Sequence, residues 1–213
     1  MNAVWKSSWI LLAALLGGCS FAPQAGEARL EALGGAPLVL APEFRASAAT
    51  QRDTEHSFWF STVTLEQLAE TGPNDTPPDA VFVHVQLVWL PKPGMTPLDA
   101  TAVNAAVRVV VVSGGEIGIY AGGAFVRPEG LEEPDTETWN LEIEGGTVSL
   151  VEKTARFTDL LSPAEFRGSF SATRDAAATN AWRRAVSQLA TNRFGRSMWV
   201  MAPDVREGML AAR

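Results

Sequence analysis

The sequence predicts an α+β fold, an antiparallel sheet with a C-terminal amphipathic helix packed on one face. Short stretches of alternating apolar and polar residues recur between Ser57 and Ala172. One of them, Val107 to Val112, is apolar at every position but Arg108, as expected of a strand covered on both faces. A single long helical stripe lies near the C-terminus and wants a sheet to cover. The alternative is a β-sandwich, in which a second sheet supplies the cover.

The elements follow in order. Ser57 to Val63 alternates as a strand, with Trp59 on one face and Phe58 and Phe60 on the other. Thr64-Leu65-Glu66-Gln67 has capping-box spacing and predicts a helical turn through Ala69. Ala80 to Leu90 sets Val81, Val83, Val85 and Leu87 against Phe82, His84 and Gln86, which places His84 on the less buried face. Gly114-Gly115 joins the Val107 run to Glu116–Tyr120 as a hairpin, and Gly145-Gly146 reads the same way between Trp139–Glu144 and Thr147–Val151. Phe166 to Ala172 is the last strand. The helix runs from Asp175, a good N-cap residue, to Gly195, a good C′ residue, with Trp182, Val186, Leu189, Ala190 and Phe194 on one stripe.

The N-terminus is an address rather than a part of the fold. Lys6 precedes the apolar run Trp9 to Leu16, about half the roughly 20 residues that a membrane span needs. Leu16, Gly17, Gly18 and Cys19 follow, and Cys19 is the single cysteine of the chain. These four residues resemble the lipobox of bacterial lipoproteins. The resemblance covers only the first twenty residues, and it implies thioether-linked diacylglycerol on Cys19, cleavage before it, and a third acyl chain, such as palmitate, on the freed amine. Residues 1–18 are then the signal peptide, 19–35 a lipidated and flexible tether, and 36–213 a single globular α+β domain, with the apolar cluster at Leu38 as its first strand. Ser20 after the cysteine resembles lipoproteins sent to the outer membrane, so the expected location is the cell envelope, facing the periplasm or the cell surface.

Composition narrows function by exclusion. With 17 basic and 24 acidic residues the net charge is −7, which argues against nucleic acid and against electrostatic docking on anionic lipid. Membrane attachment would rest on the acyl chains, and two or more of them hold firmly. Acylated Cys19 leaves nothing for a disulfide, so packing alone stabilises the domain. The chain has two histidines, His56 and His84, in no metal-ligand or catalytic spacing, and no Gly-x-Ser-x-Gly elbow. Gly114, Gly115, Gly118, Gly122 and Gly123 do not form a phosphate loop and read as turn and packing glycines. Glu132, Glu133 and Asp135 read as a solvated loop. No catalytic residue, metal site or cofactor is therefore assigned. The expected function is that of a lipid-anchored, non-catalytic binding or accessory subunit with an envelope protein as partner. The alternative is a lipid-anchored hydrolase whose groups converge from distant positions, and a pocket joining His84 to a hydroxyl and a carboxylate would favour it.

Overall fold

The structure, a computed structural model, describes residues 24–35, 38–72, 75–92, 94, 102–133 and 136–197. Ten strands and two helices follow one another along them. They are β1 (Gly26–Ala32), β2 (Val39–Leu40), β3 (Glu43–Phe44), β4 (Ala46–Arg52), β5 (Glu55–Ser61), α1 (Leu65–Ala69), β6 (Ala80–Leu87), β7 (Ala105–Ser113), β8 (Glu116–Glu129), β9 (Thr138–Lys153), β10 (Ala164–Thr173) and α2 (Ala176–Phe194). From β4 to β10 each strand pairs antiparallel with the next, and β10 pairs with β1.

The sheet then closes on itself. β2 and β3 share one register on β1, with Leu30 opposite Leu40 and Gly26 opposite Phe44. One residue later, β4 has changed partner and runs along β5, with Ala46 opposite Ser61. Residues 39–52 are thus one bent strand whose first half completes the sheet beside β1 and whose second half begins it beside β5. Pro42, which has no N–H to give a ladder, marks the interruption between β2 and β3. A parallel bridge from Ala49 to Arg174 fastens the seam where β1 no longer reaches. The result is an up-and-down barrel of eight strand positions, a size whose interior side chains can fill.

They do fill it. Phe44, Phe60 and Phe170 stack with centroids 4.5–6.2 Å apart, and Trp139 meets the edge of Phe58 at 5.9 Å. Residues 154–163 close one end: Phe157 and Leu161 are buried in the core, and the Tyr120 hydroxyl donates to Asp159 Oδ1 at 2.9 Å. That oxygen also accepts from the Leu161 and Ser162 amides at 3.1 Å, which fixes the closing loop.

Helix α2 lies on the outside. Asp175 caps it by accepting from the Ala178 amide, and Gly195 ends it at φ 65°. Trp182, Val186, Leu189 and Ala190 bury against Trp59, Phe82, Val110 and Ile119. The α+β architecture expected from the sequence is therefore observed. Strand β7 has cover on both faces: Val107 and Val109 point into the barrel, whereas Val110 and Val112 lie under the helix side. Helix α1 adds its buried Leu68 to that outer layer and carries the expected capping box on Thr64.

Three expectations are corrected. Residues 26–32, placed in the tether, form β1, whose Ala28 and Leu30 enter the core. The first strand is therefore not the Leu38 cluster, and the part of the 19–35 segment left outside the barrel ends at Gln24. Gly145-Gly146 is not a turn, because β9 runs through it without interruption. The register there shifts between Phe125 and Val126, and a Cβ on Gly146 would stand 2.6 Å from that of Ala124. Those glycines let two backbones approach at a bulge, whereas Gly114 and Gly115, at φ 56° and 79°, do turn a hairpin. Strand β8, expected to end near Tyr120, continues to Glu129 for the same reason.

The outer layer supports a direct test. Leu189→Ala removes a buried side chain between α2 and the barrel and should cost about 2 to 5 kcal/mol, whereas exposed Gln188→Ala should stay within about 0.5 kcal/mol of wild type. Urea unfolding of the protein measures both, and equal effects would mean that the helix does not bury this stripe.

Candidate functional site

Register brings the polar residues of the outer sheet face together. Across β5, β6 and β7, Trp59 stands opposite His84, and His84 opposite Arg108. His84 Nε2 is 2.9 Å from Ser57 Oγ, and its ring lies over that of Trp59 with centroids 4.6 Å apart. His84 is 1% exposed, so the expectation that it sits on the less buried strand face is overturned. Alternation did place it away from the barrel interior, but the tryptophan stacked on it and its place beside the helix-covered layer remove it from water.

Burial decides what this pair can do. It lowers the pKa of His84 to about 3, and the charge of Arg108 acts in the same direction, so the ring is neutral at physiological pH. A hydroxyl beside a neutral imidazole has the start of a nucleophile-base pair. The third group is missing from the geometry, since His84 Nδ1 is buried without a hydrogen-bond partner and no carboxylate among the described residues orients the ring. None of the main surface depressions among the described residues is lined by Ser57 or His84. The arrangement acts as a hydrogen bond and a ring stack that tie β5 to β6. His56 is on the other face, inside the barrel, with its ring 5.8 Å from Trp139 and its pKa lowered by burial.

A more open feature lies farther along the sheet, at a place that α2 does not line. Here β8, β9 and β10 bend at the Gly145–Gly146 bulge and form a groove of about 740 Å³. Phe125 and Gly145 are in its floor, Val103 and Leu33 form two sides, and Glu144 and Arg167 stand on its rim. Asn104 holds the Val103 side in place: it is fully buried, and its amide both donates to and accepts from the Val126 backbone at 2.7 Å. The glycine floor follows from packing. A Cβ on Gly123 would stand 2.7 Å from Val103, and one on Gly122 would overlap the Thr147 carbonyl, whereas Gly145 faces open space. Val103 and Leu33 remain 53% and 55% exposed, and Trp89, whose Nε1 donates to the Val103 carbonyl at 3.1 Å, is 40% exposed. The rim charges are already matched, Arg167 with Glu165 and Glu144 with Arg127. The groove therefore combines a few apolar side chains with glycine backbone and paired charges, and its volume is in the range of binding sites.

Of the residues singled out by sequence, Leu16, Gly17, Gly18 and Cys19 lie outside the described residues, as does Asp135. Trp59, Trp139 and Trp182 are core residues, which leaves Trp89 as the partly exposed tryptophan among those described. Glu133 accepts from Thr136 Oγ1 in its surface loop. The groove had no sequence signal beyond its glycines, because its walls come from five separate parts of the chain.

The buried histidine predicts a pH dependence. Between about pH 3 and 6.5 the unfolded chain binds a proton that folded His84 does not, so stability is full above about pH 6.5 and falls as the pH drops. The slope for one such group reaches about 1.4 kcal/mol per pH unit. His84→Gln should flatten the loss of urea stability between pH 6.5 and 4.5, and an unchanged slope would show that the ring titrates normally. Comparison of the chain with protein-family models, with curated proteins and with solved structures finds no match.

Proposed function

We propose that the protein is a lipid-anchored component of the bacterial cell envelope that works as a non-catalytic binding or accessory subunit and meets an envelope protein at the groove of β8, β9 and β10. The groove is the observation that carries the binding role. Exposed apolar patches rimmed by polar groups mark interaction sites, and this one sits at a place that the protein's own helix does not line. The anchoring rests on Leu16-Gly17-Gly18-Cys19, with acylated Cys19 as the attachment. A barrel filled by aromatic side chains offers its outer surface rather than its interior to a partner. The hydrolase alternative gains no support from Ser57 and His84, since His84 is buried and neither residue lines one of the main grooves among the described residues.

The anchor and the groove are tested separately. Cys19→Ser should abolish acyl labelling and leave an uncleaved precursor, seen by mass spectrometry of the N-terminal peptide. Normal cleavage and labelling of that variant would remove the lipoprotein assignment. For the groove, the acylated protein is crosslinked mildly in its own envelope and isolated. Gly145→Phe fills the groove from a position with open space around its Cβ, and it should eliminate the crosslinked species found with wild type. An identical set of crosslinks from both would place the partner surface elsewhere.

A further inference from the structure

We propose that the barrel rim where β1 begins is turned to the bilayer, and that Val88 and Trp89 on this rim rest among the zwitterionic headgroups of the membrane. This orientation depends on the acylation of Cys19, which belongs to the proposed function, and adds to it the face that meets the lipid. Antiparallel pairing decides which strand ends share the rim. Gly26 of β1 stands opposite Phe170 near the end of β10, and Thr173 of β10 opposite Thr138, where β9 starts. Farther round, β8 ends with Glu129 opposite Asn140 of β9, and β6 ends with Leu87 opposite Ala105, the first residue of β7. Residues 154–163, which follow the other end of β9, close the opposite end of the barrel. Only Ser20 to Gln24 separate Ala25 from Cys19, at most about 18 Å of extended chain. An acyl anchor on Cys19 therefore draws the β1 rim, and not the closed end, towards the lipid.

The side chains there suit that position. Val88 is 47% exposed beside Trp89, and its amide donates to the Asn104 carbonyl at 2.8 Å, which fixes the backbone past the end of β6. The Trp89 indole N–H already has the Val103 carbonyl as its acceptor, so the ring enters an apolar boundary without giving up a hydrogen bond. Tryptophan is favoured at the headgroup level, where an apolar ring with one polar edge meets both environments. Charge then selects the lipid. Residues 129–137, between β8 and β9 on the same rim, contain five acidic residues and no basic one. Arg52 and Arg174 on this rim are each followed by an aspartate, Asp53 and Asp175, so Lys92 does not restore the balance. An anionic surface repels such a rim, and a zwitterionic one accepts it.

Quenching of tryptophan emission by brominated lipid tests the orientation. The acylated protein, with the lipid on Cys19 verified by mass spectrometry, is reconstituted in vesicles of phosphatidylethanolamine and phosphatidylcholine. Its emission is compared with that in the same vesicles made with phosphatidylcholine brominated on its acyl chains. Bromine should lower the wild-type emission, and Trp89→Phe should remove most of that loss. Val88→Asp keeps the tryptophan and should remove at least half of the loss, while the urea midpoint shows that both variants are folded. Exchange of phosphatidylethanolamine for phosphatidylglycerol should weaken the quenching at low salt, and added salt should restore it. An unquenched wild type overturns the proposal, as does equal quenching in folded Trp89→Phe or quenching that grows with phosphatidylglycerol. A chain without lipid on Cys19 ends the anchoring and this orientation together. An acylated chain whose Trp89 is not quenched ends the orientation alone and leaves the anchor and the groove crosslinks as they are.

Discussion

Closure of the sheet through residues 39–52 is the constraint on which the rest of the structure depends. A strand can change partner halfway only if something on its other side completes the ladder, and β1 is that element. Without β1, the edges of β10 and of β2–β3 would both be open, and unpaired sheet edges are prone to pair with other chains. Closure also decides where apolar side chains go. With the barrel shut, alternate residues of every strand fill one interior, and the outer residues must find water, a salt bridge or a helix.

Those three solutions divide the outside of the molecule. Where outer residues are Phe82, Val110 and Ile119, α2 covers them, and its stripe exists for that purpose. Where they are charged, ion pairs occupy the surface, Arg29 with Glu31 on β1 and Glu165 with Arg167 on β10. Such exposed pairs contribute little stability individually, but they keep this wall soluble. Inside the groove no helix covers the apolar residues, and the ion pairs only border them. At the bulge, glycines replace side chains because two backbones cross closely, and the missing side chains leave apolar neighbours without cover. The feature that serves strand packing therefore also creates the depression.

How much of this the sequence reveals depends on whether the signal is local. Alternation in Ala80–Leu87, the Thr64 capping box and the Asp175–Gly195 limits of α2 are set by residues a few positions apart, and each appears as read. Strand β1 escapes because Gly-Glu-Ala-Arg-Leu-Glu-Ala has the composition of a helix or a linker, and only its partners make it a strand. Gly145-Gly146 looks identical to Gly114-Gly115 in sequence, and the difference lies in whether the flanking segments pair with each other or with strands elsewhere. His84 is a similar case: alternation gives its side of the sheet, but its burial comes with Trp59, which stacks on it from the neighbouring strand. The groove is the extreme case, assembled from segments around Leu33, Val103, Phe125, Gly145 and Arg167 that share no local pattern.

Placing β1 in the barrel also changes what an anchor at Cys19 would mean. The Ala25 amide already donates to the Phe44 carbonyl at 2.8 Å, and the Ser171 amide donates to the Ala25 carbonyl at 2.9 Å, so the chain is held from Ala25 onward. Between that point and an acylated Cys19 there are only the five residues Ser20 to Gln24, about 18 Å when fully extended. A tether of 17 residues, as the segment 19–35 suggested, would let the domain sample a wide volume and turn any face to the bilayer. A five-residue link keeps the barrel within a fraction of its own length of the lipid surface and limits its rotation. Under the proposed anchoring, a partner that reaches the groove must then itself lie at the membrane surface, because the domain cannot travel far to meet it. Short linkage raises the effective concentration of such a neighbour, and it permits useful association through a contact of modest size.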